Sequence, residues 1–421
     1  PSSLMEGAIF GMLQTLDPYS QYFPPQEYKK FNEATQGEFG GLGIRINLAR
    51  PDAIWLPGWL SVVEPIKNTP STRCKAVLDG KEYVGLQPDD RIVKIGPEST
   101  RAMSQDQAVD KLKGPPGTTV TIQIARRLPE GNAVLLDFTI ERGLISVPPI
   151  EDDDIKMIDD DLGYIWLKDF TSHAHEAMEA AIKNLKGQGM KGLIFDLRDN
   201  TGGLLPVAIE ICEMFVKRGE VVLYVDSRND RDDETYYSRE DPLTDIPLAV
   251  LVNNNSASAS EIVAGCIQDH DRGLIVGPEP GVNTYGKGSV QTVIKMEDGS
   301  GLKLTTALWF TPSRQKIHKN GITPNAWSDV NWEYWLNLRQ ADKVGYLKPK
   351  MLRSQHTQEP DGKNTDVTVE ELLGKPSKED QTKDLYDKQL FLAAQLLHAK
   401  LSDQEAGAAA ATADAKSGAK K

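Results

Sequence analysis

The feature that most limits the fold of this chain is a regular alternation of strand-like and helix-like segments in its middle. Apolar runs with the length of strands are followed by stretches whose apolar residues recur at helical spacing. The strand-like runs are GYIWLKDF (163–170), GLIFDLR (192–198) and LAVLVNNN (248–255), and the helical stretches are HEAMEAAIKNLKGQG and SEIVAGCIQDH. This alternation is typical of an α/β fold with a largely parallel sheet whose strands are buried.

The remainder of the chain has different local patterns. Short helical patterns broken by Asp17-Pro18 open the chain, and a β-rich stretch follows with one helix, capped by Ser104 and ended by Gly114. The Ala-rich end, AGAAAATADAKSGAKK, is of low complexity, and we expect it to be disordered. We therefore predict a helical arm (1–36), a compact β-rich domain (37–127), the α/β core (128–330), a helical region (331–400) and a tail (401–421).

Composition excludes several classes of protein. The formal net charge of −13 over 421 residues argues against nucleic acid as the main partner. The three cysteines are far apart and no zinc-binding pattern occurs, so we expect no metal and no cofactor. No apolar run reaches the roughly 18 residues of a membrane span. The sequence starts at Pro1 without a methionine, which leaves open an export signal or membrane anchor ahead of it.

The segment SASASE (256–261) follows the buried strand LAVLVNNN and allows two interpretations. In the first, Ser258 and Glu261 form a capping box that only stabilises the start of a helix. In the second, Ser258 is a nucleophile, because a helix start offers free backbone N–H groups and a positive dipole end that can hold a developing oxyanion. A nucleophilic serine needs a base. None of the six histidines lies in a recognisable triad motif.

Lys287, in GVNTYGKGSVQ (281–291), also allows two interpretations. The segment is similar to a phosphate-binding loop, but Gly288 stands where that pattern needs a hydroxyl to ligate magnesium. Alternatively, Lys287 is a general base whose pKa is lowered by burial. Gln291, four residues further on, would then share a face with the lysine and orient its amine. A surface lysine in a glycine-rich turn is the plainer alternative.

A glycine pair ends a third segment of interest, DLRDNTGG (196–203). The two glycines either make a tight turn or present an N–H group to a substrate carbonyl.

Together these motifs resemble the carboxyl-terminal processing peptidases, which are serine proteases with a Ser-Lys dyad and a PDZ domain. The resemblance runs in consistent order from about residue 6 to residue 325. Its motifs are LDPYSQYF, GEFGGLGI, DRIVKI, AVDKLKGPPGT, GYIWLKDF, DLRDNTGG, NNNSASASEIVAG, YGKGSVQ, LKLTTALWFTPS and NGITP. It implies a Clp protease/crotonase-like α/β core, a PDZ domain at 37–127 inserted between that core and the amino-terminal helices, and a flanking carboxyl-terminal helical segment.

The resemblance also implies roles for individual residues. It makes Ser258 the nucleophile, Lys287 the general base and Gln291 its support. It implies an oxyanion site formed by the N–H groups of Gly202 or Gly203 and of Ala259. It implies that a substrate carboxyl terminus adds as a strand beside the PDZ loop, where backbone N–H groups hold its carboxylate. That loop consists of Gly40, Gly41, Leu42, Gly43 and Ile44.

The expected function is that of an endopeptidase that recognises protein carboxyl termini and cleaves through an acyl-enzyme. The expected partners are protein or peptide substrates with apolar carboxyl termini, with a homo-oligomer, an adaptor protein and membrane association through a preceding segment left open. The resemblance implies a bacterial periplasm or envelope, or a thylakoid lumen. Two alternatives remain. An inactive PDZ-bearing scaffold is favoured by the loop before Lys287, which is four residues longer than the family pattern; a nucleotide-binding protein is opposed by Gly288.

Overall fold

A computed structural model describes residues 2–48, 55–56, 58–328 and 387–418 of the chain. These residues form two compact units, one of Pro1–Thr35 with Pro148–Lys421 and the other of Gln36–Val147. Of the predicted helical region, residues 331–386 lie outside the described part. Within the described part, no helix is both long enough and apolar enough to cross a membrane.

The amino-terminal arm of the first unit contains α1 (Ser2–Gln14), β1 (Gln21–Phe23) and α2 (Pro25–Gln36). Between α1 and β1 lies a turn at Asp17–Ser20, in which the Asp17 carboxylate accepts the N–H groups of Tyr19 (2.7 Å) and Ser20 (2.9 Å). The Asp-Pro break predicted from the sequence is therefore a stabilised turn.

The second unit is an antiparallel β structure with two helices. Its elements are β2 (Glu38–Gly41), β3 (Ile44–Leu48), β4 (Leu60–Pro65), α3 (Pro70–Arg73), β5 (Lys75–Leu78), β6 (Lys81–Val84), β7 (Arg91–Ile95), β8 (Glu98–Ser99), α4 (Gln105–Leu112), β9 (Thr119–Arg127), β10 (Ala133–Glu141) and β11 (Gly143–Ser146). The main sheet has the order β10-β9-β7-β4-β3, with β8 beside β7, while β2 pairs with β11 and β5 with β6. As predicted, Ser104 caps α4, accepting the N–H of Gln107 at 3.2 Å.

This unit ends later than the boundary predicted at residue 127. β9 and β10 pair along their whole lengths, from Ala133 opposite Arg127 to Glu141 opposite Thr119. The boundary falls inside this hairpin, because residues 128–132 are its tight turn rather than a linker: the Leu128 N–H donates to the Asn132 carbonyl at 2.8 Å. β10 contributes buried Phe138 and Ile140 to the core of the unit.

The remaining elements build the α/β part of the first unit. They are β12 (Ile155–Met157), β13 (Leu162–Trp166), α5 (Ala174–Gly187), β14 (Gly192–Asp196), α6 (Leu205–Glu213), β15 (Val221–Ser227), β16 (Glu234–Tyr237), β17 (Leu248–Leu251), α7 (Ala259–Asp269), β18 (Leu274–Gly277), β19 (Ser289–Lys295), β20 (Gly301–Phe310), β21 (Ala326–Trp327) and α8 (Lys388–Gly418). The central sheet has the order β12-β13-β14-β17-β18-β21. All its pairs from β13 onward are parallel, which confirms the predicted α/β core.

Two further features complete this unit. A second sheet, with the order β1-β20-β15-β16, also carries β19 beside β20. β19 and β20 pair as an antiparallel hairpin outside the parallel sheet. Helices α5, α6 and α7 share one large hydrophobic core with the central sheet. Buried side chains of α8, among them Leu390, Ala394 and Leu397, form a separate core with other strand residues of that sheet.

Helix α8 corrects the prediction for the end of the chain. It continues through the predicted tail as far as Gly418. The low-complexity segment is rich in alanine, and alanine has the highest intrinsic helix propensity, so low complexity here does not interrupt the backbone helix.

A buried ion cluster links the start of α8 to the central sheet. The Arg198 guanidinium donates to Asp196 (2.7 Å) at the end of β14 and to both carboxylate oxygens of Asp387 (2.9 and 2.8 Å). The Tyr164 hydroxyl donates to Asp196 at 2.6 Å. Since the segment after β14 carries Arg198, α8 helps to fix where this segment leaves the sheet.

We expect Arg198→Ala to lower the free energy of unfolding by about 3–5 kcal/mol, because it leaves two buried carboxylates without a counter-ion. The control is Lys191→Ala, whose ion pair with Asp161 is largely exposed at 2.9 Å and contributes about 0–1 kcal/mol. Urea unfolding followed by circular dichroism measures both. A loss for Arg198→Ala no larger than that of the control would contradict the stabilising role of the cluster.

Candidate active site

Two segments meet at one edge of the central sheet because β14 and β17 are adjacent and parallel. The segment after β14 carries Gly202 and Gly203, and the segment after β17 carries Ser258. Buried hydrogen bonds join them: the Ser256 hydroxyl donates to the Leu197 carbonyl and the Ser260 hydroxyl to the Asn200 carbonyl, each at 2.8 Å. The predicted nucleophile and the predicted glycine pair therefore occupy one site.

Ser258 has a strained backbone at the start of α7. Its φ of 55° and ψ of −112° lie outside the regions that residues with a side chain normally adopt. The Ser258 hydroxyl makes no capping hydrogen bond; the Glu261 N–H donates to the Ser258 carbonyl instead, at 2.8 Å. The glutamate's half of the predicted capping box forms with a bond from the Ser258 N–H to Glu261 Oε2 at 2.8 Å. Strain of this kind costs about 1–3 kcal/mol and clusters at functional sites.

Gly202 lies directly against Ser258. A Cβ atom on Gly202 would lie 2.8 Å from Ser258 Cβ and 2.9 Å from the Ala259 nitrogen, and φ is +102°, so only glycine fits. The Gly202 N–H donates to Asn200 Oδ1 at 2.9 Å. Within the described residues, we find no hydrogen bond from the N–H groups of Gly203 or Ala259. Of the predicted oxyanion donors, these two are available and that of Gly202 is already engaged.

Glu261 holds the segments of Ser258 and Lys287 together. Its side chain is fully buried, and its Oε2 accepts the N–H groups of Ser258 at 2.8 Å and of Lys287 at 2.9 Å. Its Oε1 accepts the Thr284 hydroxyl at 2.6 Å and the Gly286 N–H at 2.7 Å. The two segments, 29 residues apart in sequence, therefore meet at one carboxylate.

This arrangement also decides against the phosphate-loop interpretation. Such a loop needs free N–H groups to surround an anion, but those of Gly286 and Lys287 point to a carboxylate. Burial raises the pKa of Glu261 above its ordinary value, while the hydrogen bonds from Thr284, Gly286, Lys287 and Ser258 oppose that shift.

The Lys287 side chain is only partly exposed, and its amine lies 5.4 Å from the centre of the Tyr19 ring. Burial lowers the pKa of the Lys287 amine below its ordinary value, the nearby charge of Lys303 lowers it further, and Glu261 acts in the opposite direction. The Lys287 carbonyl accepts the indole N–H of Trp309 at 3.1 Å, which fixes the backbone of this residue. The environment therefore shifts the Lys287 amine toward its neutral form.

Gln291 does not bond to the Lys287 amine. Its side-chain amide donates to Ser289 Oγ at 2.9 Å and to Thr305 Oγ1 at 3.4 Å. A register shift in the β19–β20 pairing lies between Val290 and Gln291. The contact between Gln291 and the Lys287 amine was predicted from the alternation of side chains between the two faces of a strand. A bulge changes the direction of the side chains that follow it, so this alternation is interrupted between the two residues.

Comparison with known proteins identifies the family. The model of peptidase family S41 matches residues 161–327, and a PDZ domain model matches residues 79–125. The solved structure of a photosystem II D1 C-terminal processing protease is 27% identical with a TM-score of 0.44, over 78% of this chain and 83% of that one. A carboxyl-terminal-processing protease of Synechocystis sp. is 35% identical over 76% of this chain and 69% of its own length. A carboxy-terminal-processing protease of Bartonella bacilliformis is 38% identical over the same shares. The chain belongs to the carboxyl-terminal processing peptidases of family S41.

Membership confirms the predicted family, the peptidase fold with a PDZ domain, and the class of serine-type endopeptidase. Its substrates are accordingly proteins or peptides. The roles of individual residues rest on the geometry above and are proposed below.

The PDZ unit of this peptidase has a groove beside its edge strand β3. The groove is lined by Phe39, Gly41, Leu42, Gly43, Ile44, Ile46, Val109, Leu112 and Lys113. The Gly43 carbonyl accepts the Ser71 hydroxyl at 2.6 Å and the Ile66 N–H at 2.8 Å. No hydrogen bond from the N–H groups of Leu42 or Gly43 occurs in the described part of this unit. Four of the five predicted loop residues line the groove; Gly40 instead bonds through its carbonyl to the Gly114 N–H at 3.0 Å.

Sequence reasoning missed part of this site. It assigned Glu261 only to a capping box, and it did not identify Thr284 or Asn200. The signal that could have pointed to Glu261 is a carboxylate directly before the apolar run IVAGCI of α7, since a buried charge needs several donors. No pattern in the sequence indicates the strained backbone of Ser258.

We expect Thr284→Val to lower peptidase activity by at least tenfold, because the variant removes a hydrogen bond to the Glu261 carboxylate worth about 1.5–3 kcal/mol. Thr284→Ser is the matched control, since it keeps both the bond to Glu261 and the acceptor for the Ile322 N–H at 2.7 Å. Cleavage rates and circular dichroism of both variants are measured together. Equal activity in the two variants would show that the hydroxyl does not support the site.

Proposed function

We propose that this peptidase cleaves protein chains with Ser258 as nucleophile and Lys287 as general base. The observation that carries the proposal is the shared carboxylate oxygen of Glu261, which lies 2.8 Å from the Ser258 nitrogen and 2.9 Å from the Lys287 nitrogen. Two further observations support it. The Ser258 hydroxyl is not used for capping, and burial lowers the pKa of the Lys287 amine. A neutral amine is the form that can accept a proton.

In the proposed reaction, Ser258 Oγ attacks the carbonyl carbon of the scissile bond and passes its proton to the Lys287 amine. The carbonyl oxygen becomes an oxyanion, which the N–H groups of Gly203 and Ala259 stabilise together with the amino-terminal end of α7. Lys287 then gives the proton to the leaving amine as the C–N bond breaks. A water molecule, deprotonated by the neutral lysine, releases the acyl group and regenerates Ser258.

We assign Gln291 a supporting role through the strands and not through the amine. Its hydrogen bonds reach Ser289, at the start of β19, and Thr305, on β20. These contacts hold the β19–β20 hairpin that follows Lys287 in the chain.

We propose that the PDZ unit binds the carboxyl terminus of the substrate. β3 lies at the edge of its sheet, where a peptide can add as a further strand. The N–H groups of Leu42 and Gly43 provide donors for a carboxylate, and Lys113, which lines the same groove, provides a positive charge. The apolar residues of the groove, such as Leu112 and Val109, suit an apolar terminal side chain.

We propose that the peptidase acts outside the cytoplasm, in a bacterial periplasm or envelope or in a thylakoid lumen. Its relatives include proteases of bacteria and a chloroplastic carboxyl-terminal-processing peptidase 2 of Arabidopsis thaliana, 36% identical. An adaptor protein, a homo-oligomer and membrane association remain predictions of the family resemblance.

The test is cleavage of an unfolded protein that has an apolar carboxyl terminus. We expect Ser258→Ala and Lys287→Ala each to lower kcat by about a thousandfold or more, as for other members of a nucleophile and base pair. Lys319→Ala, which removes an exposed lysine nearby, is the control and should cleave like the wild type.

Two outcomes would contradict the proposal. Full activity of either Ser258→Ala or Lys287→Ala would remove that residue from the mechanism. A wild-type chain that binds the substrate but does not cleave it, with folding verified and candidate adaptors present, would favour the inactive scaffold.

A second prediction concerns the PDZ unit. A substrate with an amidated carboxyl terminus should have a KM about tenfold or more above that of the free acid, because it loses charge-assisted hydrogen bonds of about 1.5–3 kcal/mol. Lys113→Ala should raise KM for the free acid and leave that for the amide almost unchanged. Lys81→Ala, in the β5–β6 hairpin, is the control. Equal KM values for the acid and the amide in the wild type would exclude carboxylate recognition.

A further inference from the structure

The Asp17–Ser20 turn of the amino-terminal arm has a tightly defined conformation. Besides accepting the N–H groups of Tyr19 and Ser20, the Asp17 carboxylate accepts the Ser20 hydroxyl at 2.5 Å. These bonds fix the backbone of the intervening Tyr19, and its side chain hydrogen-bonds to that of Tyr285. The family resemblance includes this motif, LDPYSQYF, but the proposed mechanism gives it no task.

The turn is attached to β20, one strand of the β19–β20 hairpin that follows Lys287. The Thr305 N–H donates to Ser20 Oγ at 3.1 Å, and the Thr305 hydroxyl donates to Asp17 Oδ1 at 3.0 Å. Strand β1 continues the attachment, with Gln21 opposite Lys303. On its other side, Thr305 lies opposite Gln291 of β19. The turn is therefore anchored to the hairpin that follows Lys287.

From this position the Tyr19 ring approaches the proposed base. The Lys287 amine lies 5.4 Å from the ring centre, within the distance at which an aromatic face attracts a cation. The ring has two opposing effects on this amine. Its face stabilises the protonated form, whereas its bulk displaces water and so stabilises the neutral form. Burial is the largest influence on the pKa of Lys287 and lowers it, and we take the displacement of water as the ring's main effect on this amine.

We propose that the Asp17–Ser20 turn is a positioning element of the peptidase site, in which Tyr19 holds the Lys287 side chain and excludes bulk water from its amine. Tyr19 acts through Lys287 and is a positioning residue. The inference rests on the proposed role of Lys287 as general base, and it makes the amino-terminal arm a part of the active site.

The test is the pH dependence of kcat/KM in the full chain for Tyr19→Ala, Tyr19→Phe and the wild type. Removing the ring admits water and raises the pKa of Lys287, so the acid limb of the profile for Tyr19→Ala should move to higher pH. At neutral pH its kcat/KM should fall by about tenfold, because less of the amine is neutral. Tyr19→Phe keeps the ring and should keep the limb of the wild type.

Other groups that act on Lys287 stay constant in this comparison. They are Lys303 on β20 and Glu261 on α7, together with Asp17, which raises the pKa of Lys303. The control is Tyr22→Ala, since Tyr22 packs edge-on against Phe10 with ring centres 6.1 Å apart. Tyr22→Ala should leave the acid limb in place.

An activity-independent measurement separates this inference from the proposed mechanism. Two inactive proteins are compared, Ser258→Ala alone and Ser258→Ala with Tyr19→Ala. In each, peptide mass spectrometry follows how fast an amine reagent labels Lys287 as the pH is varied. The pH dependence of this rate gives the pKa of the amine. A raised pKa supports the inference even if Lys287→Ala proves active, which would overturn only the proposed mechanism.

The role of Tyr19 would be overturned if the acid limb of the pH profile did not move and the labelling of Lys287 did not change. A fall in activity alone would not support the role, because partial unfolding lowers the rate without moving the acid limb. If Tyr19→Ala does not fold, Tyr19→Leu takes its place, since it keeps an apolar contact but covers less of the amine. Its limb should move in the same direction by a smaller amount, and no movement would again overturn the inference.

Discussion

The site depends on one buried carboxylate. Glu261 has no contact with solvent, and a charge in that position is tolerated only because four donors surround it. Three of the donors are backbone N–H groups, so the carboxylate fixes main-chain positions and not only side chains. Through it, the start of α7 and the loop before β19 have a common reference point, which makes their relative position insensitive to the length of the loop between them.

The same interaction explains how the start of α7 can be capped while the Ser258 hydroxyl stays out of the cap. A capping serine normally uses its hydroxyl to accept an N–H of the first turn. Here the glutamate performs its half of the capping box, while the unusual backbone of Ser258 leaves the hydroxyl without a capping partner. The strain at Ser258 is opposed by the hydrogen bonds on both sides of it, among them the 3.0 Å bond from the Ala257 N–H to the Asn200 carbonyl. The capping interpretation of SASASE is therefore borne out in the bond from the Ser258 N–H to Glu261, and the nucleophilic role of Ser258 is part of the proposed function.

Much of the fold could be predicted from the sequence because the apolar runs and helical patterns of the core are strong and local. Ser258 and Lys287 could be identified as candidates from their places next to a buried strand and between glycines. The contact predicted for Gln291 failed because one bulge reverses the alternation on which the argument relied. The predicted end of the PDZ unit was wrong because the five-residue turn between β9 and β10 has the composition of a linker. The engagement of the Gly202 N–H by Asn200, and the approach of Tyr19 to Lys287 from more than 260 positions away, depend on tertiary packing and have no local signature.

The ion cluster of Arg198 has a consequence for biosynthesis. Its partners, Arg198 and Asp387, are 189 positions apart, and contacts of such separation form late because a long loop must close first. A ribosome that has completed β14, β17 and α7 has not yet made Asp387 or the apolar face of α8. Until that helix emerges and docks, a charged guanidinium lacks one of its two carboxylates and the apolar side chains that α8 covers on the central sheet remain in water. The segment after β14 that carries Arg198 therefore gains its second buried carboxylate, and the sheet beside it the packing of α8, only after residues 387–418 have been synthesised.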